Sequence, residues 1–198
     1  MGVEERMADR CNTIRLYSFQ TDVVYQVLKR DGVCYSKEEY VRKKYKESAK
    51  VFINAYGWFV KEAQYIVPKP EGAEYPYWAF TDLYNVDQTG DGHVLTLDVP
   101  IGEAILFDMF DWTKIMQMHY IGENESEEAT FSEELKNMGM NEFQIMTSNF
   151  YPEQKARIQE SWKRLFGHQQ AIEAGDNSGV HSVQAGLWCI KDEWIVKE

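Results

Sequence analysis

The sequence predicts an α+β domain built on a mostly antiparallel sheet flanked by helices. Three observations predict it: helical periodicity is concentrated early in the chain, alternating strand patterns dominate later, and no strand–helix–strand unit recurs.

The elements follow in order. Residues 13–19 alternate around Ile14, Leu16 and Tyr17 and read as a first strand, with Arg15 turned away from Leu16. Thr21 or Asp22 caps a short helix through Lys29 and Arg30, with Val23, Val24, Val27 and Leu28 as its buried stripe and Gly32 as its stop. Ser36 and Glu39 have capping-box spacing, and Val51, Phe52, Ala55, Tyr56, Phe59 and Val60 continue at helical spacing toward Gln64. Pro68 and Pro70 close that helical region. Residues 75–80 are aromatic and extended, Gly90-Asp91-Gly92 makes a turn, and residues 93–99 alternate up to Pro100. Residues 105–107 suggest another strand, after which Asp108 or Asp111 starts a helix carrying Trp112, Ile115, Met116 and His119. The acidic stretch 123–134 lacks a clear apolar face and reads as a solvated loop with a weak helix following. Pro152 opens a helix with Ile158, Trp162, Leu165 and Phe166 on one face, ended by Gly167. Residues 169–180 read as a polar loop, 181–190 as a strand and 191–198 as a tail bearing Trp194. With no internal repeat or low-complexity linker, residues 1–198 read as one domain with a flexible leader over 1–12.

Composition bounds the function. Of 198 residues, 44% are hydrophobic and 14% aromatic, enough for a large core. The net charge of −11 argues against duplex nucleic acid, whose phosphates demand neutralising cations. No run of 18 apolar residues occurs, and the start of the chain lacks a signal-peptide core, so no membrane association and no secretion are expected. Cys11, Cys34 and Cys189 are odd in number and show no CxxC spacing, which fits a cytoplasmic protein.

Residues 87–98 carry oxygen side chains at positions 1, 3, 5 and 12 with Gly at 6, the spacing of a calcium loop. The exit through Val94-Leu95-Thr96-Leu97 is a strand pattern, however, so the segment reads as a turn between strands. The four histidines lack HxH or HxxxH spacing, and no metal site is assigned. A nucleophile elbow, a phosphate loop and a dinucleotide fingerprint are all missing. Asp108 and Asp111 lie one helical turn apart, where they cap a helix or, buried together, raise one another's pKa. What remains is polar residues set in apolar strands, namely Arg15, Gln20 and Gln184, together with the aromatics of 75–80. Such residues face solvent or join a bonded network, and a network beside a cleft is a ligand site.

These segments together resemble an uncharacterised bacterial and phage family catalogued as domain of unknown function 3841. The resemblance rests on Arg15-Leu16-Tyr17-Ser18-Phe19-Gln20, Tyr56-Gly57-Trp58-Phe59-Val60, Glu74-Tyr75-Pro76-Tyr77-Trp78, Leu106-Phe107-Asp108, Ser161-Trp162-Lys163-Arg164 and Val183-Gln184-Ala185-Gly186-Leu187-Trp188 with Glu193-Trp194. It implies a single domain and no established reaction. The order of elements is also similar to the split-sheet architecture of ADP-ribosyltransferase-like proteins. That similarity implies Arg15 for anion binding, Tyr75 or Trp78 for stacking, and Gln184 or Glu193 beside the ribose. A Gln there holds a hydroxyl but brings no negative charge to a developing cation.

The expected function is accordingly binding of a nucleotide-like small molecule, NAD or a relative, extending to ADP-ribosyl transfer. Arg15, Tyr17, Gln20, Tyr75 and Trp78 are the candidate ligand-binding residues, and Gln184 and Glu193 the candidate catalytic ones. The scheme requires Arg15 and Gln184 on neighbouring strands, lining one hollow floored by aromatic rings. The competing expectation is an acidic phage-encoded protein that binds and inhibits a basic host defence protein.

Overall fold

The computed structural model describes residues 13–45 and 49–197; the expected leader 1–12, with Cys11, lies outside the described residues. Strand β1 (Thr13–Gln20) leads into helix α1 (Asp22–Asp31), which stops where Gly32 turns left-handed at φ 75° and returns its N–H to the Leu28 carbonyl. Strand β2 (Val33–Tyr35) and helices α2 (Glu38–Tyr45) and α3 (Ala49–Ala63) follow. Next come strands β3 (Tyr77–Phe80), β4 (His93–Pro100) and β5 (Ala104–Asp108). Helices α4 (Met109–Met116), α5 (Glu125–Asn137), α6 (Glu142–Thr147) and α7 (Pro152–Ser161) then form a helical section. A 3₁₀ segment, Trp162–His168, joins α7 to α8 (Gln169–Glu173), before strands β6 (Val183–Leu187) and β7 (Cys189–Lys191).

Five strands pair in the order β4-β1-β3-β6-β5, every neighbour antiparallel, and β2 pairs with β7 in a separate two-stranded sheet. The α+β expectation, with a mostly antiparallel sheet and flanking helices, is borne out. Alternation divides the five-stranded sheet into two faces. One buries Leu16, Ala79, Leu97, Leu106, Ala185 and Leu187 beneath Leu28 of α1, the small sheet and Trp194. The other carries Trp78, Ile105 and Phe107 beneath Phe59 of α3 and Trp112 of α4. Gly186 is required there: a Cβ at that position would lie 2.8 Å from the Phe59 ring, so only glycine lets the ring settle on β6.

The sheet's edges are closed by side chain and tail. Gln169 accepts from the Leu106 N–H at 2.5 Å and donates to the Ala104 carbonyl at 3.1 Å, imitating a further strand beside β5. At the opposite edge the Val196 N–H donates to the Thr96 carbonyl at 2.9 Å.

Several local expectations are corrected. Val23 is 63% exposed, so the α1 stripe narrows around Leu28. No Ser36–Glu39 capping box forms: Ser36 bridges to Tyr75, and the Glu38 N–H donates to the Glu74 carboxylate at 2.8 Å. The acidic stretch 123–134 is mostly helix α5, because Asn124 caps it, the first-turn acids suit the helix dipole, and Phe131 and Leu135 are buried one turn apart. Residues 169–173 are helix rather than loop, since the Gln169 amide anchors them to β5. The strand expected over 181–190 breaks at Trp188, whose indole N–H donates to the Val67 carbonyl at 2.7 Å while Cys189 and Ile190 pair with β2 instead.

Candidate functional site

Cross-strand register sets the candidate residues in rows. Thr96, Tyr17, Phe80, Gln184 and Phe107 form one row across all five strands, on the face that carries α3 and α4. Arg15 stands one pleat repeat further along β1, opposite Asp98 of β4. Its guanidinium donates to both Asp98 carboxylate oxygens, Nε to Oδ1 at 2.5 Å and Nη2 to Oδ2 at 3.0 Å, and both side chains remain about half exposed. The hydrogen bond donated to the Asp98 carboxylate is the main reason the guanidinium is held above its ordinary range. Tyr17 and Phe80 are half-buried between Arg15 and Gln184.

Gln184 differs from its neighbours. Only 3% of it is exposed, yet its side-chain amide makes no hydrogen bond with the described residues, whereas every fully enclosed side-chain polar atom among them has a partner. Its amide atoms must therefore reach a narrow solvent-accessible opening. Burying an amide in this way costs free energy that packing elsewhere has to offset.

The requirement that Arg15 and Gln184 occupy neighbouring strands fails: they share a face, but β3 lies between β1 and β6. Two strand spacings separate them, about 10 Å. Gln20 leaves the group because it projects to the opposite face, where its Nε2 donates to Ser18 Oγ at 2.8 Å and Ser18 Oγ in turn donates to the Trp78 carbonyl at 2.7 Å. Tyr75 and Trp78 belong to the aromatic core rather than a stacking platform. The Tyr75 ring lies 5.4 Å from that of Tyr56, and burial pushes its hydroxyl pKa up to about 12. Trp78 packs 4.8 Å from Trp112, and its indole N–H donates to the Tyr56 hydroxyl at 2.9 Å. Glu193 is the exposed residue of the turn Asp192–Trp194, just before the tail reaches the outer edge of β4. That edge lies three strand spacings from Gln184, about 14 Å. The two candidate catalytic residues are thus not brought together.

A second group assembles where β5 ends. Asp108 is the last residue of β5 and the N-cap of α4, its Oδ1 accepting from the Phe110 N–H at 3.0 Å. Its Oδ2 accepts from the His181 N–H at 2.9 Å and lies 2.8 Å from His181 Nδ1. Burial pushes this carboxyl up, but hydrogen bonds from the His181, Phe110 and Ser182 amides and from the His181 ring outweigh it and hold the group below the ordinary carboxylate range. The His181 side chain is 75% exposed, and its ring lies 4.9 Å from that of Phe110. Asn85 Nδ2 donates to Ser182 Oγ at 2.7 Å, tying the turn after β3 to the same end. Asp111 moves the other way: burial raises its carboxyl, opposed by Lys114 and reinforced by the charge of Asp108. Asp108 therefore does cap the helix, and the two acids diverge: the charge of Asp108 helps to raise Asp111, while Asp108 itself is held low by its hydrogen bonds.

The Asp108–His181 pair was missed because 73 positions separate its members and no local pattern marks either. The turn reading of residues 87–98 holds: Asp87 accepts from the Thr89 N–H and hydroxyl, and Asp98 lies on β4 against Arg15. Among the described residues no group of three or more His, Cys, Asp or Glu is placed to hold a metal ion, and no helix is long and apolar enough to cross a membrane. An open hollow of about 540 Å³ lies elsewhere, lined by Tyr120, Arg157, Glu160, Ser161, Lys163 and Arg164. Its cations are already paired, Arg157 with Glu134, Lys163 with Glu160 and Arg164 with Glu123.

Fold and site define an α+β domain with a five-stranded antiparallel sheet whose helical face stays half open along β1. The chain belongs to the family described as Domain of unknown function (DUF3841), whose model matches residues 15–196. No curated protein and no solved structure matches the chain.

Proposed function

We propose that the domain binds a nucleotide-like small molecule along the strip from Arg15 to Gln184. One observation carries the reading: the Gln184 amide is almost wholly buried, has no hydrogen-bond partner among the described residues, and faces the same side as a half-exposed guanidinium. The half-buried rings of Tyr17 and Phe80 lie between them. Arg15 engages Asp98 through Nε and Nη2, leaving Nη1 for a ligand phosphate. The two rings offer apolar area for a base or sugar, and the amide supplies both a donor and an acceptor. The span, two strand spacings across and one pleat repeat along, about 12 Å in all, suits a mononucleotide or one half of a dinucleotide such as NAD. Binding, rather than ADP-ribosyl transfer, is the reading, since a Gln at 184 brings no negative charge to a developing cation.

Thermal-shift measurement with NAD, ADP-ribose and cyclic nucleotides at millimolar concentration tests it. A binding ligand raises Tm by mass action, and Gln184→Leu should remove the rise. An unchanged Tm with every one of these ligands rejects the reading. A second reading rests on the net charge of −11, which suits docking of a basic host protein. An unchanged Tm together with salt-sensitive binding of such a protein would favour it.

A further inference from the structure

We propose that Asp108 and His181 form a proton-transfer pair for hydrolysis of carboxylic esters, with His181 as the catalytic general base and Asp108 as its positioning residue. The proposal goes beyond ligand binding on the strip and does not depend on it. The Asp108 carboxylate is fixed by backbone N–H groups on both sides, from Phe110 and from His181, so it has little freedom to turn away. Held 2.8 Å from Nδ1, it makes that nitrogen the protonated one, and the lone pair of the neutral ring is then on Nε2. Most of this side chain is open to solvent. A buried acid orienting an exposed imidazole is the positioning half of the triad arrangement, here with water as the nucleophile.

The surroundings favour an acyl substrate. Phe110, at 51% exposure, lies against the His181 ring, and Leu83 and Tyr84, exposed at 44% and 92%, precede the Asn85 that is bonded to Ser182. Together they give an apolar rim to an otherwise polar end of the sheet. Asn85 uses one of its two side-chain N–H bonds on Ser182, so a second donor stands nearby for a developing oxyanion. The step balances. Nε2 takes a proton from water as the water oxygen bonds to the carbonyl carbon. The imidazolium returns that proton to the leaving oxygen as the ester C–O bond breaks, releasing acid and alcohol. A single imidazole serves both transfers because the tetrahedral intermediate keeps both oxygens on the same side, which in-line displacement at phosphorus does not.

The test uses the full chain with p-nitrophenyl butyrate. We expect hydrolysis above that of an equal concentration of free imidazole, a loss of at least tenfold in His181→Ala, and partial rescue of that variant by added imidazole. His93→Ala, which removes another exposed histidine, should hydrolyse the ester as the native chain does. Asp108→Asn retains a good helix cap, so the fold survives. Its ¹⁵N spectrum should show His181 losing the single Nδ1-protonated form expected of the native chain, with kcat falling more than KM rises. A native rate no higher than free imidazole, equal rates in native and His181→Ala, or a native ring protonated on Nε2 would each overturn the proposal. None of these outcomes bears on nucleotide binding, which the thermal shifts decide separately.

Discussion

Gln169 and Gln184 are both buried beside the same strands, and they behave in opposite ways. Gln169 lies along the outer edge of β5, where its amide meets one backbone N–H and one carbonyl of the strand it covers. Gln184 lies one strand inward, between Phe80 and Phe107, and its amide meets neither. A satisfied buried amide holds structure, whereas an unsatisfied one at a solvent opening is maintained at a cost to stability. Burial and residue type therefore do not tell a structural glutamine from a functional one; the partner atoms do.

The largest effect expected from this contrast is on stability. Gln169→Ala strands the Leu106 N–H and the Ala104 carbonyl at a covered edge and should cost about 2–4 kcal/mol, from two buried groups each losing a partner. Gln184→Leu removes no hydrogen bond and relieves the cost of the buried amide, so it should leave stability unchanged or raise it by less than about 1 kcal/mol. Urea denaturation of both variants decides. Equal losses would mean that the Gln184 amide is bonded after all, and the contrast would collapse.

A smaller effect separates the two acids of α4. Asp108 is held below the ordinary carboxylate range, so its ionised form favours folding. That contribution is complete above the unfolded value near ~3.9 and vanishes as pH falls through the lower folded value. Asp111 is raised, so its ionised form disfavours folding; the penalty is absent below the ordinary value and complete above the raised one. Asp108→Asn should lower Tm at neutral pH, by an amount that shrinks toward pH 2. Asp111→Asn should raise Tm at neutral pH, with the gain lost on acidification. Melting curves from pH 2 to 7 check both, and a matching response from the two acids would refute their assignment to opposite environments.

How much of this was legible depended on whether a feature is local. The strands β1 and β4 announced themselves through alternation around Leu16 and Leu97, and β5 through a short apolar run around Leu106. Gly32 and Pro152 marked helix ends because their backbone preferences act on the residue itself. Gln184 stood out as a polar residue in an apolar run. Features set by distant partners did not show: Glu74 capping α2, Gln169 closing the β5 edge, the strand break at Trp188, and the order of strands that put β3 between Arg15 and Gln184. Helix α5 was hidden because its apolar face amounts to Phe131 and Leu135 within a long acidic stretch. Likewise Gln20 and Gln184 look alike in sequence, each a polar side chain at an apolar strand, and the face of the sheet together with the Ser18 hydroxyl beside Gln20 sets them apart.

The smallest structural effect belongs to Arg15, and it sharpens the comparison most where ligand is concerned. Its pair with Asp98 is half exposed, and surface pairs of this kind contribute little to folding because water screens them. Arg15→Ala should therefore leave Tm without ligand nearly unchanged while sharply reducing any nucleotide-induced rise. Asp98→Asn frees the guanidinium of its carboxylate, and the nucleotide-induced rise should grow, because Nε and Nη2 are then released to join Nη1 in binding a phosphate and no carboxylate offsets the cation. Paired thermal shifts on the two variants read out opposite signs from a single ion pair. Rises that fall together in both would show that the pair is needed intact, which would make Arg15 part of the scaffold and leave Gln184 without an anionic counterpart on its face.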